Sequence, residues 1–245
     1  METNPMTERI AKYLARAGVC SRREAEKLIA QQRITVDGKT IDTPAFNVEG
    51  TEKIKLDGEK IAAPEQTRLW LYYKPVGLLT THSDTQGRET VFDNLPAGLP
   101  RVISVGRLDL NSEGLLLLTN NGELSRTLEL PQNAWTRRYK VKVHGVLNKQ
   151  KLADLENGAV VDGVHYGCVK AVIENEQGTN AWLTVTLSEG KNREIRKLMK
   201  FIGLEVARLI RLSYCPFQLG SLKKGEVREV PQKVLREQLG GKFTL

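Results

Sequence analysis

Four consecutive leucines, residues 115–118, stand between Gly114 and the turn-forming run Thr119-Asn120-Asn121-Gly122. Such a run is far too short to cross a membrane, which takes about 20 apolar residues, but it suits a buried strand. A second apolar run, with Val102, Ile103 and Val105, precedes it. Between the two lies a turn rich in Asn, Ser and Gly that carries Asp109. A loop held by two strands is a rigid support for a charged side chain. On its own, Asp109 reads as a solvated turn carboxylate.

The 245 residues have room for one large domain or two unequal ones. The opening segment, residues 1–6, lacks the basic start and apolar stretch of a secretory signal. Cys20, Cys168 and Cys215 are far apart and odd in number, which argues against a disulfide framework or zinc site and fits a reducing cytoplasm. His82, His144 and His165 are equally scattered, so no metal site is expected. Lys and Arg total 37 against 29 Asp and Glu, a net charge of +8. That excess favours a polyanionic partner, most simply a nucleic acid, bound less tightly as salt rises.

Residues 7–62 read as a small domain. Ile10, Tyr13, Leu14 and Ala17 share a helical face that Gly18 ends. Ser21-Arg22-Arg23-Glu24 matches a capping box, with Ser21 as cap and Glu24 reaching back. Alternating residues around Asp37-Gly38, and again around Asp57-Gly58, predict two hairpins. Arg9, Lys12, Arg16, Arg22, Arg23, Lys27 and Arg33 outnumber Glu8, Glu24 and Glu26 there, which points to a phosphate-binding face. Residues 63–67 read as a linker. Residues 68–245 predict an α+β domain: a mixed, mostly antiparallel sheet with flanking helices. The alternation of 138–143 and 182–187 marks strands, 147–155 reads as a helix, and Ile195, Leu198, Met199 and Ile202 carry another.

The order helix, capped helix, hairpin resembles the small RNA-binding domain named after ribosomal protein S-four. That likeness implies RNA contacts by Arg9, Lys12, Ser21, Arg22, Arg23 and Arg33. Four ordered motifs resemble the RsuA/RluB family of ribosomal RNA pseudouridine synthases. They are Lys74-Pro75-Val76-Gly77, the stretch from Gly106 to Gly122, the stretch 189–198 and the stretch 206–217. Where this family usually shows Gly, the chain has Cys215.

The resemblance implies isomerisation of uridine to pseudouridine in ribosomal RNA, most simply the large-subunit 23S rRNA. Neither redox chemistry nor an external group is involved, so no cofactor is expected. The base must leave its stack and enter a pocket. Asp109 is implied as the catalytic group, either adding to the anomeric carbon or removing the neighbouring proton. Arg196 is implied to pair with it; read alone, 189–198 is a basic surface helix. Tyr139, otherwise a strand aromatic, is implied to stack on the target base. Leu209, otherwise a core leucine, is implied to line the base pocket. Lys191, Arg193 and Lys197 are expected to face phosphates. Arg107, two residues before Asp109, shares its face if the backbone is extended. The turn at 74–77 is expected to support the catalytic loop from behind.

Three other readings stay open: a small-subunit (16S) enzyme of the RsuA type, a non-catalytic RNA-binding ribosome-assembly protein, and a glycoside hydrolase. The last needs two carboxylates, and only Asp109 with Glu113, read as a turn residue, offers them. The expected partner is ribosomal RNA, free or within an assembling subunit. The protein is expected to be a cytoplasmic monomer that engages no membrane.

Overall fold

The computed structural model describes residues 7–239 together with Gly241 and Phe243. In the N-terminal quarter α1 (Ile10–Arg16) packs on α2 (Arg22–Ala30). Ser21 caps α2 by accepting a hydrogen bond from the Glu24 N–H at 3.1 Å, while the Glu24 carboxylate turns to Lys27, 3.8 Å away. One half of the expected capping box is thus formed. β1 (Ile34–Val36) and β2 (Lys39–Thr40) make one hairpin, β3 (Ile54–Leu56) and β4 (Glu59–Lys60) another. Pairing of β1 with β3 joins them into one four-stranded antiparallel sheet. Both turns place two successive residues at positive φ, Asp37 (49°) with Gly38 (82°) and Asp57 (50°) with Gly58 (88°). Asp-Gly meets that demand with little strain. Ile10, Leu14, Ala25, Ile29, Ile34 and Ile54 close a core between these helices and the sheet, distinct from the cores that follow.

Residues 61–68 form neither helix nor strand. The end of that stretch is tied down, since Gln66 O accepts from Asn120 Nδ2 (2.8 Å) and Thr67 O from Gln232 Nε2 (2.6 Å).

A nine-stranded sheet follows, seven strands of which form a path. Its members are β5 (Leu69–Lys74), β6 (Ile103–Val105), β7 (Glu113–Thr119), β8 (Arg137–His144), β9 (Val169–Gln177), β10 (Asn180–Leu187), β11 (Glu205–Tyr214) and β12 (Val227–Glu229), plus the short strand Phe217–Gln218. The order is β9-β10-β8-β11-β7-β5-β12, with β6 on β7 and Phe217–Gln218 on β11. Only β7 with β11 is parallel. The fold is α+β with a mostly antiparallel mixed sheet.

All seven residues of β7 are buried. Leu116 and Leu118 enter one core, with Tyr72, Val141, Leu183 and Leu198; Leu115 and Leu117 enter a second, with Leu124, Leu128 and Leu235. A strand covered on both faces has no reason to alternate, which explains four leucines in a row. The first core is roofed by α5 (Glu194–Phe201), the second by α3 (Gly122–Glu129) and α6 (Gln232–Leu239). The helix read from 147–155 is α4 (Lys149–Asp154), followed by a 3-10 turn. It starts later because Asn148 caps it, accepting from Lys151 N at 3.0 Å. An ion pair from Lys12 to Glu123 at the start of α3 joins the N-terminal quarter to the rest.

Candidate active site

The loop between β6 and β7 is held carbonyl by carbonyl. Leu108 O accepts from Thr80 Oγ1 at 2.9 Å. Asp109 O accepts from Ser112 N (3.0 Å) and Lys74 Nζ (3.2 Å), and Leu110 O from Gly77 N (2.9 Å). Asn111 O accepts from Arg196 Nη2 (2.9 Å) and Ser112 O from Lys74 Nζ (2.9 Å). Five successive carbonyls are therefore fixed by side chains and backbone from three other segments. Lys74 is fully buried and gives its third N–H to Pro75 O at 3.0 Å. Burial draws its ammonium down to about 8, against the pull of the Asp109 charge. The turn at 74–77 thus sits behind the loop, as expected from the sequence.

This loop presents the half-exposed Asp109 carboxylate to a cavity of about 710 Å³, a size that holds a small ligand or one nucleotide. Tyr139 and Leu209 lie in its wall, exposed by only 8% and 7%. Arg107, Lys191 and Arg193 lie at its edge, all exposed.

The cation near Asp109 differs from the expected one. Arg193 Nη1 stands 4.0 Å from Asp109 Oδ2. Arg196 instead donates to two backbone oxygens, Val206 O (3.1 Å) and Asn111 O (2.9 Å). Arg193 adopts a left-handed backbone (φ 52°) just before α5, whereas Arg196 lies inside the helix. Burial lowers the Arg196 pKa, and the nearby Asp109 opposes that shift.

Glu113 is not a turn residue. It opens β7, is 3% exposed, and holds Arg208 (2.5 Å), Lys224 (3.0 Å) and Tyr73 OH (3.2 Å). Burial pushes its carboxyl up, but the two cations outweigh that and keep it below the usual range. It does not line the cavity, so the pair weighed from the sequence for a glycosidase, Asp109 with Glu113, is not presented to one site.

Other expected RNA contacts divide. Arg9, Arg22 and Arg23 are exposed. Lys12 is engaged by Glu123 and Glu8, and Arg33 grips Asp57 through Nε at 2.9 Å and 3.2 Å as well as through Nη2. Ser21 serves as the cap described above. Lys191 Nζ binds Glu189 Oε2 (2.7 Å) and His165 O (2.6 Å). A neighbouring cleft, lined by Arg22 and Arg126, shares Glu129 and Pro131 with the main cavity.

Among the charged residues of the cavity that sequence reading missed are Arg137, Arg211 and Glu194. Arg137 and Arg211 are buried and flank the Tyr214 ring, their guanidinium carbons 4.4 Å and 5.3 Å from its centroid. Glu194, 4% exposed, accepts from Lys191 N at 2.9 Å, and burial pushes its carboxyl up. Two-residue spacing was the available signal for the arginines: Arg137 with Tyr139, and Arg211 with Leu209, share a face of their strands. Among the described residues no group of His, Cys, Asp and Glu could hold a metal ion, and no helix is long and apolar enough to cross a membrane.

A family model described as RNA pseudouridylate synthase matches residues 68–201, and an S4 domain model matches residues 8–54. An uncharacterized RNA pseudouridine synthase of Rickettsia felis is 48% identical over 94% of this chain and 100% of its own length. Ribosomal large subunit pseudouridine synthase B of Salmonella typhi is 44% identical over 85% of this chain and 74% of its own. Among solved structures, a pseudouridylate synthase superposes with a TM-score of 0.67 at 23% identity, over 94% of this chain and 99% of that one, a likeness of fold.

Proposed function

The chain belongs to the RNA pseudouridylate synthase family, and from that premise we propose that it converts one or a few uridines of large-subunit ribosomal RNA to pseudouridine, with Asp109 as the group that attacks the sugar. The observation that carries this reading is the setting of Asp109. A carboxylate on a loop whose five carbonyls are all held faces a cavity walled by Tyr139 and Leu209. Fixed geometry of this kind is what converts binding into rate.

The target nucleotide leaves its stack, and the uracil enters between the Tyr139 ring and the Leu209 side chain. Asp109 then either bonds to C1′ or takes the C2′ proton as the N1–C1′ bond breaks. The detached uracil turns, and C5 bonds to C1′. In the first route this displaces Asp109; in the second the proton returns to C2′. The C5 proton is lost and N1 gains one, so the product is an isomer and no cofactor is consumed. Arg196 is a positioning residue in this scheme, since it holds Asn111 O two residues beyond the carboxylate. Arg193, 4.0 Å from Asp109 and exposed, meets the backbone of the RNA.

Arg9, Arg22 and Arg23 on the N-terminal quarter take phosphates, and the cleft of Arg22 and Arg126 leads RNA toward the cavity. The large-subunit target rests on the 44% identity to the Salmonella enzyme and is favoured over a small-subunit one on that ground. The same reading describes a cytoplasmic monomer acting on ribosomal RNA, free or in an assembling subunit. Mapping pseudouridine in rRNA from cells with and without the protein tests it. One or a few large-subunit positions are expected to lose the modification; an unchanged map refutes the assignment.

A further inference from the structure

Two buried arginines share the cavity and the Tyr214 ring, yet they are provided for very differently. Arg137 has four acceptors: Trp135 O (3.1 Å), Ser188 O (2.7 Å), Glu189 O (3.1 Å) and Tyr214 Oη (2.6 Å). Arg211, exposed by 3%, has one: its Nε donates to Leu115 O at 2.6 Å. Its Nη2 is buried with no partner, and no carboxylate lies within ion-pair distance of it among the described residues. A buried cation left in that condition is strongly disfavoured unless something supplies acceptors. Arg137 has the profile of a finished structural contact. Arg211 has that of a site awaiting a ligand.

The position says which ligand. Arg211 lies directly opposite Tyr139 in the β8–β11 pairing, so their side chains stand on one face about 5 Å apart at the β-carbons. Leu209 is two residues earlier on the same strand and the same face. All three line the cavity with Asp109. A uracil seated against Tyr139 and Leu209 therefore has this guanidinium beside it.

We propose that Arg211 is a catalytic residue that binds the carbonyl oxygens of the uracil and stabilises the ring as it departs from the ribose. The proposal rests on the reaction given above. When N1–C1′ breaks, the electron pair stays with the base, and the negative charge spreads over N1, O2 and O4. An oriented guanidinium with free N–H groups in a dry site stabilises that anion more than the neutral ground state, which is the condition for lowering a barrier. The charge is discharged when C5 bonds to C1′ and a proton reaches N1. Either route at the sugar produces the same leaving anion, so the role of Arg211 is common to both.

The test compares wild type, Arg211→Gln and Arg211→Lys in single-turnover conversion of large-subunit rRNA at saturating enzyme, with RNA affinity and thermal midpoint measured in parallel. Arg211→Gln is expected to slow conversion about 100-fold or more, with RNA affinity within about threefold. Its midpoint should be unchanged or raised, because an uncompensated buried charge has been removed. Arg211→Lys, which keeps the charge but not the fork, is expected to recover part of the rate. Three results overturn the proposal: a wild-type rate for Arg211→Gln, a loss confined to RNA affinity (a phosphate contact), or a loss that follows a lowered midpoint in both variants (a packing role). Product formed by wild type in the same series separates these outcomes from failure of the pseudouridine synthase reading itself.

Discussion

Lys74 offers a quantitative check on how the catalytic loop is held. Its ammonium is fully buried with a pKa of about 8, against an ordinary value of 10.5. The unfolded chain keeps this proton over a range in which the folded protein has released it. Stability therefore rises with pH between these two values and is lowest below the folded one. The gap corresponds to about 3 kcal/mol, of which about 2 kcal/mol is recovered between pH 7 and pH 9.5. Replacing Lys74 by Met removes this dependence. Urea denaturation of both proteins at several pH values isolates it, because other titrating groups cancel in the difference. Wild type is expected to gain about 2 kcal/mol on Lys74→Met across that range. The variant also loses the donor to Asp109 O and Ser112 O, and a loop displaced by about 1 Å slows turnover on the order of 100-fold. Parallel stability curves with undiminished turnover would refute both the buried charge and its hold on the loop.

Gly114 has φ +103°, and a β-carbon there would lie 2.4 Å from Arg211 O. Gly114→Ala is expected to destabilise the protein by about 3 kcal/mol or more, read as a lower denaturation midpoint; an unmoved midpoint contradicts the close approach of β7 and β11. Arg196→Met should slow single turnover at least tenfold, because Asn111 O loses its donor. Arg193→Met, which removes an exposed cation 4.0 Å from Asp109, should slow it less than about fivefold; the reverse ranking would make Arg193 the partner that matters. Deleting residues 1–62 should weaken rRNA binding and flatten its salt dependence, and an unchanged dissociation constant would remove the N-terminal quarter as an RNA anchor.

The features legible in the sequence were those set by local rules. The Asp-Gly turns announced themselves because each needs two residues at positive φ. The leucine run announced a buried strand, and the spacing of Ile195, Leu198 and Met199 the buried face of α5. The site resisted where long-range geometry decides. Which arginine approaches Asp109 depends on the left-handed turn at Arg193, and nothing in the spacing fixes that. Lys12 and Arg33 looked like free cations until the fold brought Glu123 and Asp57 to them. Glu113 looked like part of a turn, though Arg208 and Lys224 draw it into the sheet. Arg137 and Arg211 passed as ordinary strand residues, because burial of a charge shows only in the packed protein.

The central claim is that the Asp109 carboxylate performs the step at the ribose. Its most direct test is single-turnover conversion of large-subunit rRNA by Asp109→Asn at matched RNA occupancy. Pseudouridine is expected to stay at background while the RNA binds within about threefold of wild type. Conversion at a near wild-type rate would contradict the claim.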